Sequence, residues 1–386
     1  MKDLKIFTPD IEASAKKLID SIANSRYFDG LPIRIMPDAH AGKGIVVGFT
    51  CPMASRLNPE HIGGDIGCGI ETVLFDKVLD KKDFPLFEQR IRKVIPMGSN
   101  MQHNRQFDLK DFCKFVRKEL SKAVQSSDGL VRDIPFKDED DIAFWCRDLH
   151  LDEKVFYKSM GTLGGGNHFI ELDYNDELNL MGITVHTGSR NIGNKVCGYW
   201  SNRAKSMGGY LLGGAMQGYL IDMVVAQAYA KYNRKVILDK IADIYKKMCK
   251  GRVKETISSV HNYFDFKDMM IRKGAIRSYE GEKMVIPFNM RDGIAICMGK
   301  SNSDWNCSAP HGSGRAMSRT QAKQKLKMKD FKQAMDGIYS TSVCLSTLDE
   351  SPMAYKNTSE IISLIEPTCS IEYLMRPVIN IKDTSE

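Results

Sequence analysis

The segment His61-Ile-Gly-Gly-Asp-Ile-Gly-Cys-Gly-Ile-Glu71 sets four glycines around a carboxylate, Asp65, and a thiol, Cys68. Glycine permits positive φ and close approach to a ligand, so the segment reads as a tight loop, not the interior of a helix or strand. A carboxylate and a thiolate three residues apart on such a loop can face one point, and a thiolate can bridge two metals. From this segment alone two readings stand: a metal-ligand loop, or a turn holding a small buried core cysteine.

Outward from this loop, similar patterns recur. Residues 34–49, Arg-Ile-Met-Pro-Asp-Ala-His-Ala-Gly-Lys-Gly-Ile-Val-Val-Gly-Phe, read as strand, glycine turn, strand, with Asp38 and His40 in the turn. An Asp/Gly turn with an incidental histidine is the alternative there. Residues 160–172 carry a glycine run into Asn167-His168, with alternation resuming at Phe169-Ile-Glu171. Such a run can cradle phosphate with backbone N–H groups, but it matches neither the P-loop nor the dinucleotide fingerprint. Residues 183–193 form a β-branched strand ending at His186, followed by a Gly/Ser/Arg turn. His261 and Asn262 end another apolar run, and Ala309-Pro-His-Gly-Ser-Gly-Arg315 opens a long helix rich in Lys and Arg.

The chain has eight histidines, and five of them (His40, His168, His186, His261 and His311) lie near glycine, asparagine or an acid at the ends of apolar runs. With Asp65 and Cys68, they point to several strand ends converging on one metal site. Imidazole, thiolate and carboxylate together suit a borderline divalent ion, zinc on ligand type alone.

The remaining chain predicts helix at 11–25, mostly helical basic sequence at 83–125, and an exposed acid-rich stretch at 133–153. Residues 217–250 are strongly helical, with Leu220, Val224 and Ala228 at i, i+4, i+8. Strands are expected around Pro287-Phe-Asn-Met-Arg-Asp-Gly293 and from Tyr373 to Asp383, the latter carrying Lys382. No repeat, low-complexity linker or domain boundary stands out. The expected fold is α+β: one large complex domain over residues 1–386, with mixed β-sheets, surrounding helices, and an active-site cleft at strand ends and Gly-rich loops.

A composition of 42% hydrophobic and 27% charged residues is that of a soluble globular protein. No apolar stretch approaches the roughly 18–20 residues of a membrane span, and Met-Lys-Asp-Leu-Lys-Ile-Phe-Thr lacks a signal-peptide core. A cytoplasmic protein without membrane attachment is expected. Ten cysteines without a CxxC pair exclude a zinc-finger or disulfide framework. The net charge of +7 fits an anionic partner such as RNA or a nucleotide.

At this point the motifs carry a specific resemblance. The chain resembles the RtcB family of RNA ligases from about residue 34 to Lys382. The shared motifs are Pro37-Asp-Ala-His-Ala-Gly-Lys-Gly44, Gly64-Asp-Ile-Gly-Cys-Gly69, residues 161–171, His186-Thr-Gly-Ser-Arg190, His261-Asn262, His311-Gly-Ser-Gly-Arg315 and Ala354-Tyr-Lys356. The resemblance implies a GTP- and Mn²⁺-dependent ligase. It joins 2′,3′-cyclic-phosphate or 3′-phosphate RNA ends to 5′-hydroxyl ends through a His–GMP intermediate, in RNA repair or tRNA splicing. It implies that Asp65, Cys68 and His168 hold one Mn²⁺, that Cys68, His186 and His261 hold a second, and that His311 is guanylylated. The manganese assignment replaces zinc. Implied nucleotide contacts are Asn167, His168, Glu171, His261, Asn262, Asn289, Met290, His311, Gly312, Ser313, Gly314, Arg315, Tyr355 and Lys382. A monomer is expected.

The chain also departs from the family pattern. Pro287-Phe-Asn-Met290 and Ile294 stand where the family has Pro-Gly-Ser-Met and a following Ser, so two nucleotide-contacting hydroxyls are replaced. Ile271-Arg-Lys-Gly-Ala275 lacks the family's leading His. These changes open one rival, a metal-dependent RNA end-processing phosphodiesterase that has lost nucleotide transfer. A second rival, a catalytically silent RNA-binding protein, rests on charge alone. Arg319, Lys323 and Lys327, at i, i+4, i+8 of the helix expected after His311, form a basic stripe for RNA backbone, or else a solvated face.

Overall fold

The computed structural model describes residues 2–385. Its strands are β1 (Asp3–Ile6), β2 (Pro32–His40), β3 (Val47–Pro52), β4 (Gly69–Phe75), β5 (Phe169–Asn175), β6 (Leu180–Thr187) and β7 (Val253–Val260). They continue as β8 (Asn262–Asp265), β9 (Met270–Lys273), β10 (Ala275–Arg277), β11 (Lys283–Pro287), β12 (Ile294–Gly299), β13 (Ser308–Pro310) and β14 (Cys369–Ile381). The α-helices are α1 (Ala13–Asn24), α2 (Phe84–Val94), α3 (Leu109–Ser126), α4 (Glu139–Asp148) and α5 (Glu153–Ser159). After them come α6 (Asn191–Ser206), α7 (Gly213–Cys249), α8 (Arg319–Lys325), α9 (Met328–Ala334) and α10 (Thr358–Ile365).

The architecture is α+β, as the sequence leads one to expect. A seven-stranded antiparallel sheet runs β11-β12-β14-β5-β6-β4-β7, a five-stranded sheet runs β1-β2-β3-β9-β8, and β10 pairs with β13. Strands β5 and β6 are buried along nearly their whole length, as expected of strands covered on both faces. One of the faces is covered by α7, a 37-residue helix. Its first half packs Tyr219, Leu220 and Tyr229 into a core with Phe112 of α3 and Val196 of α6. Its second half packs Ile237, Ile241 and Tyr245 against Phe75, Ile183 and Ile379 of the sheet. Leu220, Val224 and Ala228 are all buried, so their helical spacing marks the core face correctly.

Two local expectations are overturned. The acid-rich stretch 133–153 is not simply exposed, because α4 buries Ile142, Trp145 and Cys146, and Trp145 Nε1 donates to Asp222 of α7 at 2.8 Å. The long basic helix after residue 309 does not exist. Ala309 and Pro310 lie in β13, residues 311–318 are irregular, and helix resumes in two short pieces, α8 and α9. Leu326 and Lys327 between them are extended, at φ −85°, ψ 151° and φ −115°, ψ 140°. Leu326 turns into a small core with Phe331, Met335 and Leu348, and that burial takes it out of helical phase. Lys327 therefore leaves the proposed stripe. Arg319 and Lys323 turn instead toward Asp349, at 2.7 and 3.7 Å.

Candidate active site

Strand register brings the predicted metal ligands together. In the seven-stranded sheet Ile70 pairs with His186, His186 with Phe169, and Gly69 with Val260. Cys68 precedes Gly69, His168 precedes Phe169, and His261 follows Val260, so four neighbouring strands end at one place. Cys68 Sγ lies 3.5 Å from His168 Nε2 and 3.3 Å from His186 Nε2. His186 Nε2 is 3.3 Å from His261 Nε2, and His168 Nε2 is 3.3 Å from Asp65 Oδ2. Two three-ligand groups result, Asp65/Cys68/His168 and Cys68/His186/His261, with Cys68 common to both.

The donor set fits a divalent cation. His168 Nδ1 faces the Leu163 carbonyl at 3.0 Å and His186 Nδ1 faces the Asn167 carbonyl at 3.2 Å. Each contact fixes the proton on Nδ1 and turns the Nε2 lone pair inward. Burial and neighbouring imidazoles hold His186 and His261 well below the usual histidine range, so both are neutral. Burial and the Asp65 carboxylate push the Cys68 thiol up. A thiolate there needs a cation beside it, which reverses that balance.

His311 stands next to this cluster, its ring centroid 4.8 Å from that of His261. Asp38, fully buried, accepts from the His311 backbone N–H at 3.1 Å and contacts Nδ1 at 2.5 Å. With its proton on Nδ1, His311 presents Nε2 as a free lone pair. The β2–β3 register shifts between Ile35 and His40, and this irregularity aims Asp38 at His311. Gly314 at φ +71° makes the close packing possible, because a Cβ there would meet the Asp38 carbonyl at 2.1 Å. His40, also near, is held down at about 4 by burial and by His311, and its Nδ1 faces the Asp38 carbonyl at 2.9 Å.

A cavity of about 380 Å³ adjoins His311 and His186. Asn167, Glu171, Asn289, Met290, the loop 311–315, Tyr355 and Lys382 all line it. His168, His261 and Asn262 do not line it. Asn262 instead braces the ligand loop, donating to the Asp65 carbonyl at 3.3 Å and accepting from Gly274 N–H at 2.9 Å. Asn289 is engaged locally, accepting from the Arg291 and Asp292 N–H groups at 3.0 Å each. Ile294 packs in the core with Val285, Ile296 and Met375.

Two partnerships escaped the sequence. Asp38 was visible as a turn residue in a motif, but its pairing with His311 spans 273 positions. Glu350 gave no signal beyond an acid pair in a short apolar stretch. It is buried on the cavity wall, where Oε1 meets Arg315 at 3.3 Å and Arg319 at 2.5 Å, and Oε2 meets Tyr355 at 2.7 Å and Lys382 at 3.0 Å.

Comparison with known proteins shows the family. The family described as tRNA-splicing ligase RtcB matches residues 30–383. RNA-splicing ligase RtcB of Escherichia coli strain K12 is 28% identical, covering 96% of this chain and 95% of the relative. RNA-splicing ligase RtcB1 of another Escherichia coli strain is 29% identical over the same shares. The tRNA-splicing ligase RtcB of Archaeoglobus fulgidus is 25% identical, covering 91% of this chain and 87% of the relative.

Proposed function

Because this chain belongs to the RtcB family of RNA ligases, we propose that it seals RNA by way of a guanylylated His311. The substrates are RNA with a 2′,3′-cyclic phosphate or 3′-phosphate at one end and a 5′-hydroxyl at the other, with GTP and two Mn²⁺. The observation that carries this reading is the Asp38–His311 pair, set between a nucleotide-sized cavity and the imidazole–thiolate cluster.

In this scheme Asp38 keeps the Nδ1 proton and His311 Nε2 attacks the α-phosphorus of GTP. The bond to the β-phosphate bridging oxygen breaks, and pyrophosphate leaves. An RNA 3′-phosphate oxygen then attacks the same phosphorus, which frees His311 and leaves the RNA end activated. The 5′-hydroxyl attacks that 3′-phosphate, and GMP departs. Asp65, Cys68 and His168 would hold one Mn²⁺, and Cys68, His186 and His261 the other. Bound there, the ions supply charge neutralisation for phosphate and activation of water to open a cyclic end. Arg315 and Lys382 supply positive charge on the cavity wall, and Glu171 and Tyr355 border the place for base and ribose.

The phosphodiesterase alternative keeps the cluster but gives the buried Asp38–His311 pair no task. Among the described residues, no helix is long and apolar enough to cross a membrane. The test is labelling: protein with [α-³²P]GTP and Mn²⁺ should gain one acid-labile GMP, and His311→Ala none. Label that persists in the variant sinks the assignment.

A further inference from the structure

The basic segment after His311 does not form one continuous stripe, and another basic surface adjoins the cluster. Helix α6 follows directly on His186-Thr-Gly-Ser-Arg190, and within Asn191–Ser206 it contains Lys195, Arg203 and Lys205 and no acid. Its exposed side carries Asn194, Lys195, Gly198, Asn202 and Arg203, with Tyr199 half-buried. Two depressions follow this side. One, of about 540 Å³, is lined by His150, Lys195, Tyr199 and Arg203. The other, of about 290 Å³, reaches Asp65 and Asn262 and is bordered by Lys43, Lys205 and Lys273, with Glu60 as an acid besides Asp65. Both are floored by Asn194, Gly198 and Asn202, at i, i+4, i+8, so they adjoin along the helix.

Two further facts single out this side. Lys235 and Lys247 of α7 pair with Asp239 and Asp243, whereas among the described residues Lys195, Arg203 and Lys205 pair with no acid. Gly198 stands inside the helix, where glycine weakens helical structure. A Cβ at Gly198 would meet no heavy atom within 4 Å, and its φ is not positive. Neither packing nor backbone conformation requires glycine there. Its effect is an open groove floor, with helix backbone accessible to a ligand.

We propose that this groove seats single-stranded RNA and leads it to the Asp65 side of the cluster. Lys195, Arg203 and Lys205 meet phosphates, Tyr199 stacks on a base, and Gly198 lets the strand approach. The inference rests on the RNA-ligase reading and adds a path to it. The nucleotide cavity borders His186 and His311 and shares no lining residue with the depression at Asp65, so GTP and RNA reach the cluster by different entrances.

The test is fluorescence anisotropy with a labelled 3′-phosphate RNA oligonucleotide and full-length protein with Mn²⁺, over a range of salt. Lys195→Gln combined with Arg203→Gln should weaken binding at least about tenfold at low salt. It should flatten the log K against log salt slope by about 1.4, from about 0.7 per phosphate contact on single strands. Gly198→Gln should also weaken RNA binding while melting at or above the wild-type temperature. Equal affinity and slope in the double variant, a wild type that binds no RNA, or a lowered melting temperature for Gly198→Gln would each overturn the groove. Labelling of His311 by GTP reads the nucleotide step separately. Absence of label in the wild type, with the groove variants still weakening RNA binding, would count against guanylylation and leave the groove standing.

Discussion

Glu350→Gln isolates the buried anion that organises the cavity wall. Burial alone would raise this carboxyl, but the charges of Lys382, Arg319 and Arg315 outweigh it and hold it at about 2, against an ordinary 4.5. At about 1.4 kcal/mol per pKa unit, that difference corresponds to about 3 kcal/mol of folding stability. The amide keeps the shape but leaves Lys382 and Arg315, both enclosed, without their counter-charge. With an unfolding entropy of roughly 2.1 cal/mol/K per residue, 386 residues give about 0.8 kcal/mol/K, so Tm should fall by roughly 4 °C at neutral pH. A carboxyl whose folded pKa lies below its unfolded one adds stability above the unfolded value and loses it as pH falls toward the folded value. The gap between wild type and variant should therefore be constant from about pH 8 to pH 5, and narrow below about pH 4.5. Calorimetric melts across that range measure it. A variant that melts with the wild type at neutral pH would show that the cations on this wall do not depend on Glu350.

Cys68→Ala should lose both bound metal equivalents by native mass spectrometry, while Cys113→Ala, buried in α3, should keep them; equal metal content in the two would rule out a bridging thiolate. Arg319→Gln should reduce guanylylation about tenfold, the cost of one charged hydrogen-bonding partner, because Arg319 lines the cavity beside His311. Lys327→Gln, outside that cavity, should not, and a matching loss in both would refute the specific role of Arg319. Gly274→Ala would place a Cβ 2.1 Å from Val47 Cγ1 and 3.2 Å from His311 Cε1, at φ +65°. It should cost about 1–3 kcal/mol and depress guanylylation more than metal content, as rate and metal assays on one preparation would show.

The parts legible in the sequence were those with local signals. Glycines beside His168 and His186, at the ends of β-branched runs, marked strand ends, and the spacing of Leu220, Val224 and Ala228 marked a buried helix face. The break at Leu326 was not legible, because residues 321–329 are good helix formers and the packing of one leucine overrode that preference. Trp145 shows an available signal passed over. Ile142, Trp145 and Cys146 fall at i, i+3, i+4, but the surrounding acids drew the reading toward solvent. The Glu350 cluster joins Arg315, Arg319, Tyr355 and Lys382, and the cations that neutralise this acid come from the loop before α8, the start of α8 and the residue after β14, which no local pattern encodes.

The catalytic geometry depends on how two sheets meet. The metal-type cluster belongs to the seven-stranded sheet, whereas Asp38 lies in β2 of the five-stranded sheet and His311 follows β13. His261 is the single residue between β7 of one sheet and β8 of the other. Its N–H donates to the Cys68 carbonyl at 2.9 Å, and its own carbonyl accepts from Gly274 N–H at 2.7 Å. Gly274 leads into β10, whose Ala275 pairs with Pro310 immediately before His311. A short chain of backbone bonds thus runs from the Cys68 loop through His261 to Pro310, the residue before His311. Main-chain hydrogen bonds and strand pairing therefore tie the position of His311 to that of the cluster. Replacing any one of the cluster side chains should therefore remove a donor and leave this spacing intact, whereas a change at the His261–Gly274 seam should shift His311 while every donor remains.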